Sequence, residues 1–404
     1  MLCNNNIEKL VGLQEVEIKN VIEENSQTII YTQLIRKKHS CPSCGNQTES
    51  VHDYRTQYIK DIPAFGKNII IRFKKRRYRC DNCGKRFMES VEWLPKYHRM
   101  TNRLAAYVID KLREERSFNS VGREVNLSVS TVIRIFDLVN YPSQPMPEAI
   151  GIDEFKGNAG REKYHCIITD LKNHRILDIL SSRCKSDLTS YFKQFERSKT
   201  TTFVSDMWEP YADIAKTFFK NAPHIIDKYH FIRQVFWAFE AVRKQEQKKH
   251  RKDSRLLFKR SKTLLNKQYE YLNADEKAIV DNLLYVSTPL LIAHGLKERF
   301  LKILDCNKRN DAKSLLSEWI LEAQESDLER FVDCSHTFIN WSDGILNSFE
   351  LPYTNGFTEG CNNKIKVLKR TAYGYRNFRR FRNRILHIFS HQNTPENKQK
   401  SVTA

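Results

Sequence analysis

Long hydrophobic runs are missing from this sequence of 404 residues. No apolar stretch approaches the roughly 20 residues that a membrane-spanning helix needs. The first residues, MLCNNNIEKLVGL, also lack a basic segment followed by an apolar one, which is the pattern of a secretion signal. We therefore expect a cytoplasmic protein, whose ten cysteines are thiols or metal ligands rather than disulfides.

Acidic residues are in short supply. The chain has 48 Asp and Glu against 68 Lys and Arg, which gives a net charge of +20 and a pI of about 9.4. Between Cys361 and His391 there are nine basic residues and no acid. Such an excess favours a polyanionic partner, first nucleic acid and second an anionic membrane. With 40% hydrophobic and 29% charged residues, the chain is predicted to be globular and, if bound to DNA, nucleoid-associated.

Four cysteines occur in two pairs, CPSCG and CDNCGKRF. In each pair the short spacing lets two thiolates bind one ion, and the following glycine permits a tight turn. Two unrelated pairs or a redox motif are the alternatives, but a redox motif would need a βαβ context. The sequence therefore predicts a structural zinc site with four ligands, which are Cys41, Cys44, Cys80 and Cys83.

The segment between the pairs predicts two or three strands with turns at Pro63 and Gly66, which would bring the pairs together. Residues 67–86 include nine Lys or Arg and one acid. We expect a zinc-ribbon DNA-binding domain over residues 1–95 that contacts phosphate.

A helix-turn-helix is predicted next, over residues 96–141. One helix starts at Thr101, a short helix runs through Val125, and another starts at Ser128. The turn lies at Asn126–Leu127. The predicted shared core is Val121, Val125, Leu127, Val132, Ile133 and Phe136. The side chains expected to face DNA are Ser130, Thr131 and Arg134. The alternative is a plain three-helix packing unit, and the proline-rich YPSQPMPEA marks a boundary.

Beyond this boundary the pattern becomes α/β. Three strands, a helix, a strand, a helix and a strand follow in the order of the ribonuclease-H-like fold. Apolar strands are predicted to end in Asp153 and Asp206, and a fifth strand ends near Asp227. Adjacent strands would place Asp153 and Asp206 side by side, and close carboxylates of this kind favour Mg²⁺ (or Mn²⁺). Asp153 could instead be a turn residue with Glu154 as the ligand.

The third acid would come from Glu359, which opens a helix beside the basic run. Read alone, Glu359 is also suited to the first turn of its own helix, and Asp206 to a helix cap. Amphipathic helical patterns between these two acids predict an all-helical insertion domain over residues 239–348. The flanking parts of the catalytic core are 147–238 and 349–392, followed by a tail, 393–404.

Four segments, GIDEF, SDMWEPY, DKYHF and PYTNGFTEGCNNKIKVLKRTAYGYRNFRRF, closely resemble the DDE transposases of bacterial insertion sequences. The nearest group carries a zinc ribbon, a helix-turn-helix and a helical insertion (ISL-three type). The resemblance runs from Cys41 to about Phe389. It implies that the catalytic, magnesium-binding residues are Asp153, Asp206 and Glu359. It also implies that Asp227 and His230 lie near the site.

The resemblance implies a transposase that binds the terminal inverted repeats of its element, cleaves DNA and joins the freed end to a target. A homodimer or larger assembly is expected, because two ends must be held together. Phosphate contacts are expected from Arg376, Arg379 and Arg380. The alternatives are a DNA-binding regulator without catalysis, which would leave the three acids unexplained, and a nuclease that cuts without joining.

Overall fold

The computed structural model describes residues 10–390, except for the side chains at positions 252 and 253. These residues form two compact units. The first consists of the described residues up to Tyr141 together with 367–374 and 383–390, and the second of 142–366 and 375–382. The predicted tail, 393–404, lies outside the described residues.

The first unit contains a five-stranded sheet in the order β1-β2-β6-β5, with β7 paired to β6. The β2–β6 pair is parallel and the others are antiparallel. The strands of this sheet are β1 (Val16–Glu24), β2 (Gln27–Leu34), β5 (Val51–Ala64), β6 (Lys67–Arg79) and β7 (Arg86–Met88). A separate small sheet pairs β3 (His39–Ser40) with β4 (Gln47–Thr48).

One long hairpin, β5–β6, joins the two cysteine pairs, as the sequence predicts. Its turn is formed by Phe65 and Gly66, whose φ angles are 52° and 75°, while Pro63 lies within β5. One face of the sheet packs on a hydrophobic core that includes Val16, Leu34, Ile59, Ile71, Phe73 and Leu94. The β1–β2 hairpin was not predicted from the sequence.

Three short helices follow: α1 (Asn102–Lys111), α2 (Phe118–Glu124) and α3 (Val129–Phe136). Each starts at a hydroxyl side chain that accepts a backbone N–H, and these caps are Thr101, Ser117 and Ser128. The turn passes through Asn126 with φ of 52°. The predicted core is present, with one correction. Ile135 is buried in place of Ile133, which is half-buried.

The second unit contains a five-stranded sheet in the order β10-β9-β8-β11-β12. The β10–β9 and β9–β8 pairs are antiparallel, and the β8–β11 and β11–β12 pairs are parallel. The strands are β8 (Ala149–Lys156), β9 (Tyr164–Asp170), β10 (Arg175–Leu180), β11 (Thr202–Ser205) and β12 (His224–Ile226). The helices between them are α4 (Lys185–Phe192) and α5 (Glu209–Phe218). Contrary to the prediction, β8 does not end at Asp153 but continues to Lys156, because its later residues still pair with β9.

Helices occupy most of the chain between β12 and position 347. They are α6 (Lys228–Lys249), α7 (Lys252–Arg260), α8 (Lys262–Asn266), α9 (Ala274–Tyr285), α10 (Thr288–Ile303), α11 (Arg309–Glu325), α12 (Glu329–Asn340) and α13 (Ser342–Asn347). Trp319 lies in their core and donates its indole N–H to Leu296 O at 2.8 Å. Asn273 caps α9 with its side chain, and Lys308 is the N-cap residue of α11.

Two more helices complete the described chain, α14 (Gly356–Thr371) and α15 (Phe378–Ser390). The helical region packs on the edge of the sheet through α13, where Asn347 Nδ2 donates to His224 O at 2.7 Å. Within residues 10–390, every helix falls short of the length and apolarity needed to cross a membrane.

Candidate functional site

Each cysteine pair closes the same small backbone loop. Cys41 N–H donates to Asn46 O, and Gly45 N–H donates to Cys41 O, both at 2.9 Å. The second loop repeats these two bonds at Cys80 and Gly84, again at 2.9 Å. Gly45 and Gly84 have φ of 75° and 67°, a left-handed conformation that glycine adopts without strain. The two loops therefore present their sulfurs in the same geometry.

The loops bring all four predicted sulfurs together. Cys41 Sγ lies 3.6 Å from Cys83 Sγ, and Cys44 Sγ lies 3.5 Å from Cys80 Sγ. All four sulfurs lie within 4.8 Å of one another. Four thiols converging from two tight loops form the donor set of a structural zinc ion, so the cluster fits the predicted cofactor.

The thiols of this cluster do not ionise independently. The backbone N–H of Asn46 lowers the pKa of Cys44 to about 6. The pKa of Cys83 is raised to about 12, despite the hydrogen bond from the Lys85 N–H, because its thiolate would lie beside that of Cys44. Four thiolates at this spacing would repel one another, and a bound cation would offset that repulsion.

Asp153 lies within β8, on the strand beside β11. It is 8% exposed, and its carboxylate accepts the Glu154 N–H at 2.7 Å and the Asn362 side-chain amide at 2.8 Å. Burial raises the pKa of Asp153 to about 7, and the charges of Glu154, Glu359 and Asp227 act in the same direction. Asn362 lies on the same helix as Glu359. Its hydrogen bond therefore holds that helix against Asp153, although Asn362 and Asp153 are 209 residues apart in the sequence.

Asp206 directly follows β11. The parallel pairing of β11 with β8 aligns Val204 with Gly151, so Asp206 continues the strand opposite Asp153. Burial raises the pKa of Asp206 to about 7, with further contributions from Glu154 and Asp153 that Arg183 and Arg233 oppose. Its buried Oδ1 has no hydrogen-bond partner among the described residues. An unpartnered carboxylate oxygen in an acidic cluster is suited to bind a cation as a ligand.

Glu359 lies in the first turn of α14. A carboxylate oxygen of Glu359, a carboxylate oxygen of Asp227 and a ring nitrogen of His230 all lie within 4.8 Å of one another. Burial and the Asp227 charge raise the pKa of Glu359, while Arg233 and Lys366 lower it. Asp227 and His230 therefore lie close enough to Glu359 to share a cation with it. The resemblance implied only that these two residues lie near the site, without a role for either.

Asn355 anchors the start of α14 to the sheet. Its backbone N–H donates to Asp227 Oδ1 at 2.9 Å, and its side-chain amide donates to Ile152 O at 3.0 Å. Thr358 Oγ1 lies 2.8 Å from Thr169 Oγ1 on β9. These buried contacts fix the position of Glu359 relative to Asp153 and Asp227.

Glu154, the alternative to Asp153, has a different partner. It forms an ion pair with Arg183, whose guanidinium lies 4.7 Å from the ring centre of Tyr164 and 4.6 Å from that of Trp208. Arg183 therefore occupies one Glu154 oxygen, while the other is buried without a hydrogen bond. Sequence reasoning missed Arg183, Asn355 and Asn362. The TNG and CNN segments beside Glu359 were the available signal for the two asparagines.

The predicted DNA-contacting residues lie mostly at the surface. On α3, Ser130 and Arg134 are exposed and Thr131 is half-buried. Thr131 Oγ1 accepts from Arg134 Nη2 at 3.3 Å. At the C-terminal end, Arg376 and Arg379 are exposed and Arg380 is half-buried.

Comparison with known proteins agrees with this arrangement. A family model of ISL3 DDE transposases, described as transposase, matches residues 150–385. A zinc-finger model of the transposases of IS204, IS1001, IS1096 and IS1165 matches residues 37–83. The helix-turn-helix model of transposase family ISL3 matches residues 89–140.

Two curated relatives differ in how much they cover. The transposase for insertion sequence element IS1001 from Bordetella parapertussis is 27% identical over 93% of this chain and 96% of its own length. A Lactococcus lactis protein named as an ATP-dependent protease is 35% identical, but over only 28% of this chain and 34% of its own length. The three family models match successive parts of the sequence, and the DDE transposase model alone spans more than half of it. The chain belongs to the ISL3 family of transposases.

Proposed function

We propose that this protein binds the terminal inverted repeats of its insertion sequence and catalyses metal-dependent DNA strand cleavage and strand transfer. The observation that carries the proposal is the convergence of acids. Asp153 lies in β8, and Asp206 directly follows the neighbouring parallel strand β11. Glu359 lies on α14, whose Asn362 is hydrogen-bonded to Asp153. A regulator that only binds DNA would not need this cluster of acidic side chains.

The proposed catalytic core is ribonuclease-H-like. Three antiparallel strands followed by two parallel ones, in the order β10-β9-β8-β11-β12, support this assignment. The helices from α6 to α13 would then be an insertion between the fifth strand and the helix that carries Glu359. We also propose that the zinc ribbon and helix-turn-helix recognise the element ends, with Ser130, Thr131 and Arg134 facing the DNA.

Asp153, Asp206 and Glu359 are the proposed ligands of Mg²⁺ or Mn²⁺, with Asp227 and His230 beside Glu359. The buried, unpartnered Asp206 oxygen and the mutual repulsion of these carboxylates fit a divalent cation. When bound, the cations would activate the attacking water or 3′-hydroxyl and stabilise the leaving oxygen.

The protein's own groups would prepare this site. Asn362 holds the Asp153 carboxylate, and Asn355 holds Asp227. Arg183 holds one Glu154 oxygen in an ion pair, and we propose Asp153 rather than Glu154 as the cation ligand. Arg376, Arg379 and Arg380 are proposed to hold the phosphate backbone.

Incubating the protein with end-containing DNA, Mg²⁺ and a target plasmid tests the function. We expect nicks at the element ends and joined products, and neither with Asp153→Asn. Cleavage without joining would identify a nuclease, and end binding without cleavage would identify a regulator. Light scattering of the complex with paired ends should reveal a homodimer or larger assembly.

A further inference from the structure

We propose that the outer face of the five-stranded sheet in the first unit docks the phosphate backbone of double-stranded DNA. By outer face we mean the side opposite the Ile59, Ile71 and Phe73 core. The proposal deepens the DNA binding proposed above by assigning a second contact surface, separate from α3.

Strand register places the side chains of this face. Ile71 and Phe73 are fully buried, and side chains alternate between the two faces of a strand. Arg72 and Lys74 therefore lie on the outer face. Lys74 is exposed and Arg72 is half-buried.

A row of four residues crosses the sheet through Arg72. Asn20 on β1 is opposite Tyr31 on β2, Tyr31 is opposite Arg72 on β6, and Arg72 is opposite Tyr58 on β5. All four are uncharged or basic. Tyr58 is 56% exposed, so the row ends in an aromatic ring that is open to solvent.

Lys74 forms a second basic position beside this row. It pairs in register with Thr56 on β5, and its Nζ lies 4.3 Å from the ring centre of Tyr54, which is 52% exposed. Arg72 Cζ likewise lies 4.7 Å from the ring centre of Tyr31. Both cations thus rest on tyrosine rings, which restricts their side chains before any partner arrives.

Neither cation is neutralised by an acid. Within residues 10–390, ion pairs occupy other basic residues of this unit, such as Lys19 and Lys67, but neither Arg72 nor Lys74 has a carboxylate partner. Their charge is therefore available to an external anion. Two residues along a strand span about 6.8 Å, so Arg72 and Lys74 present two neighbouring positive charges on the outer face.

Double-stranded DNA fits this face better than single-stranded DNA. Stacking of successive unpaired bases needs several open aromatic faces, but Tyr31 and Tyr54 each carry a cation over one face, which leaves Tyr58 as the open ring of the row. Phosphate contacts need only the cations themselves, and they carry no sequence preference. The expected contribution is therefore affinity and orientation for any duplex, with sequence recognition left to other elements.

The test uses the full chain and a fluorescein-labelled duplex of random sequence, with binding measured by anisotropy over a range of NaCl concentrations. Arg72→Gln with Lys74→Gln should reduce the slope of log K against log[NaCl] by about 1.8, at about 0.9 per lost phosphate contact. A charge-matched control is Lys19→Gln with Lys37→Gln, because both lysines are already paired with glutamates. The control should keep the wild-type slope.

Zinc content and melting temperature establish that each variant is folded, and Arg72→Lys with Lys74→Arg should restore the wild-type slope. An unchanged slope in the Gln pair, an equal loss in the control, or a loss confined to single-stranded DNA overturns the proposal. The comparison needs DNA binding but no cleavage. A protein that fails to cleave its element ends therefore counts against the proposed function without affecting this result.

Discussion

The cysteine cluster and the proposed acidic cation site of this protein are assembled in opposite ways. The cysteine cluster is local: Cys44 and Cys80 are 36 residues apart and are joined by one hairpin. The acidic cluster is distributed: Asp153 and Asn362, whose side chains are hydrogen-bonded, are 209 residues apart. Backbone loops hold the sulfurs, whereas the acids depend on a sheet, a helix start and buried asparagines. The comparison indicates that losing the first site should damage folding and losing the second should damage chemistry.

The largest expected effect is on the cysteine site. Cys80→Ser removes a buried ligand, and structural zinc binding is worth roughly 10 kcal/mol in comparable small sites. We expect zinc content to fall from about one per chain towards zero and the ribbon to lose its protease resistance. The control is Cys184→Ser at an exposed cysteine. Full zinc retention by Cys80→Ser would contradict the assigned site.

At the proposed acidic site, Glu359→Gln should lower the rate of DNA cleavage by about a thousandfold or more, because it removes one negative ligand from the carboxylates that bind the cation. DNA binding and zinc content should stay normal. Glu329→Gln is a matched control, since Glu329 is also a first-turn helix acid but lies outside the cluster.

The triple variant with Asp153→Asn, Asp206→Asn and Glu359→Gln should be hardly worse than Glu359→Gln alone, since ligands of one cluster do not act additively. Equal cleavage by Glu359→Gln and Glu329→Gln would mean that Glu359 only stabilises its own helix.

The acidic site should also make metal-free stability depend on pH. Folding raises the pKa of Asp153 and Asp206 from ordinary carboxyl values to about 7, so the folded state binds protons more tightly than the unfolded state. The free energy of unfolding should therefore fall as pH rises from about 4 to 7, by roughly 4 kcal/mol for each carboxyl whose pKa is raised by about 3 units. Denaturant titrations in buffer without added Mg²⁺ or Mn²⁺ would measure this fall, and Asp153→Asn should reduce it. A free energy of unfolding that rises over this range would reverse the predicted sign.

A smaller effect is expected from Asn355→Ala. The change removes two buried hydrogen bonds, one donated to Ile152 O and one accepted from Thr358 Oγ1. It keeps the backbone bond to Asp227, so about 1–3 kcal/mol of stability should be lost. Because α14 would be held less firmly, Mn²⁺ affinity measured by electron paramagnetic resonance should fall modestly. Asn363→Ala, at an exposed position on the same helix, is the control. No difference between the two variants would remove Asn355 from the positioning role.

The same contrast explains what could be predicted from the sequence. The CxxC spacing and the hydroxyl caps at Thr101, Ser117 and Ser128 are local signals, and the zinc ribbon and helix-turn-helix matches agree with them. The strands of the second sheet were also predicted in the observed order. The end of β8 was wrong, because the pairing that extends it to Lys156 comes from β9.

Long-range contacts left no comparable signal. Nothing local marks Arg183 as the partner of Glu154, or Asn362 as the partner of Asp153, because those pairs exist only after the sheet and α14 have packed. The β1–β2 hairpin was missed for a related reason. Its place in the sheet depends on parallel pairing with β6, which adjacent residues do not specify.

The hydrogen bond from Asn355 to Asp227 links residues 128 positions apart. Closing a flexible loop of that length would cost roughly 4 kcal/mol of chain entropy. Helices α6 to α13 fold within this loop, and α13 docks beside β12, so their folding already brings the two ends together. Mild heating that melts these helices should release Glu359 from the strand-borne aspartates while the four sulfurs stay clustered. Catalytic competence would then be lost in a thermal step before, and separate from, unfolding of the ribbon.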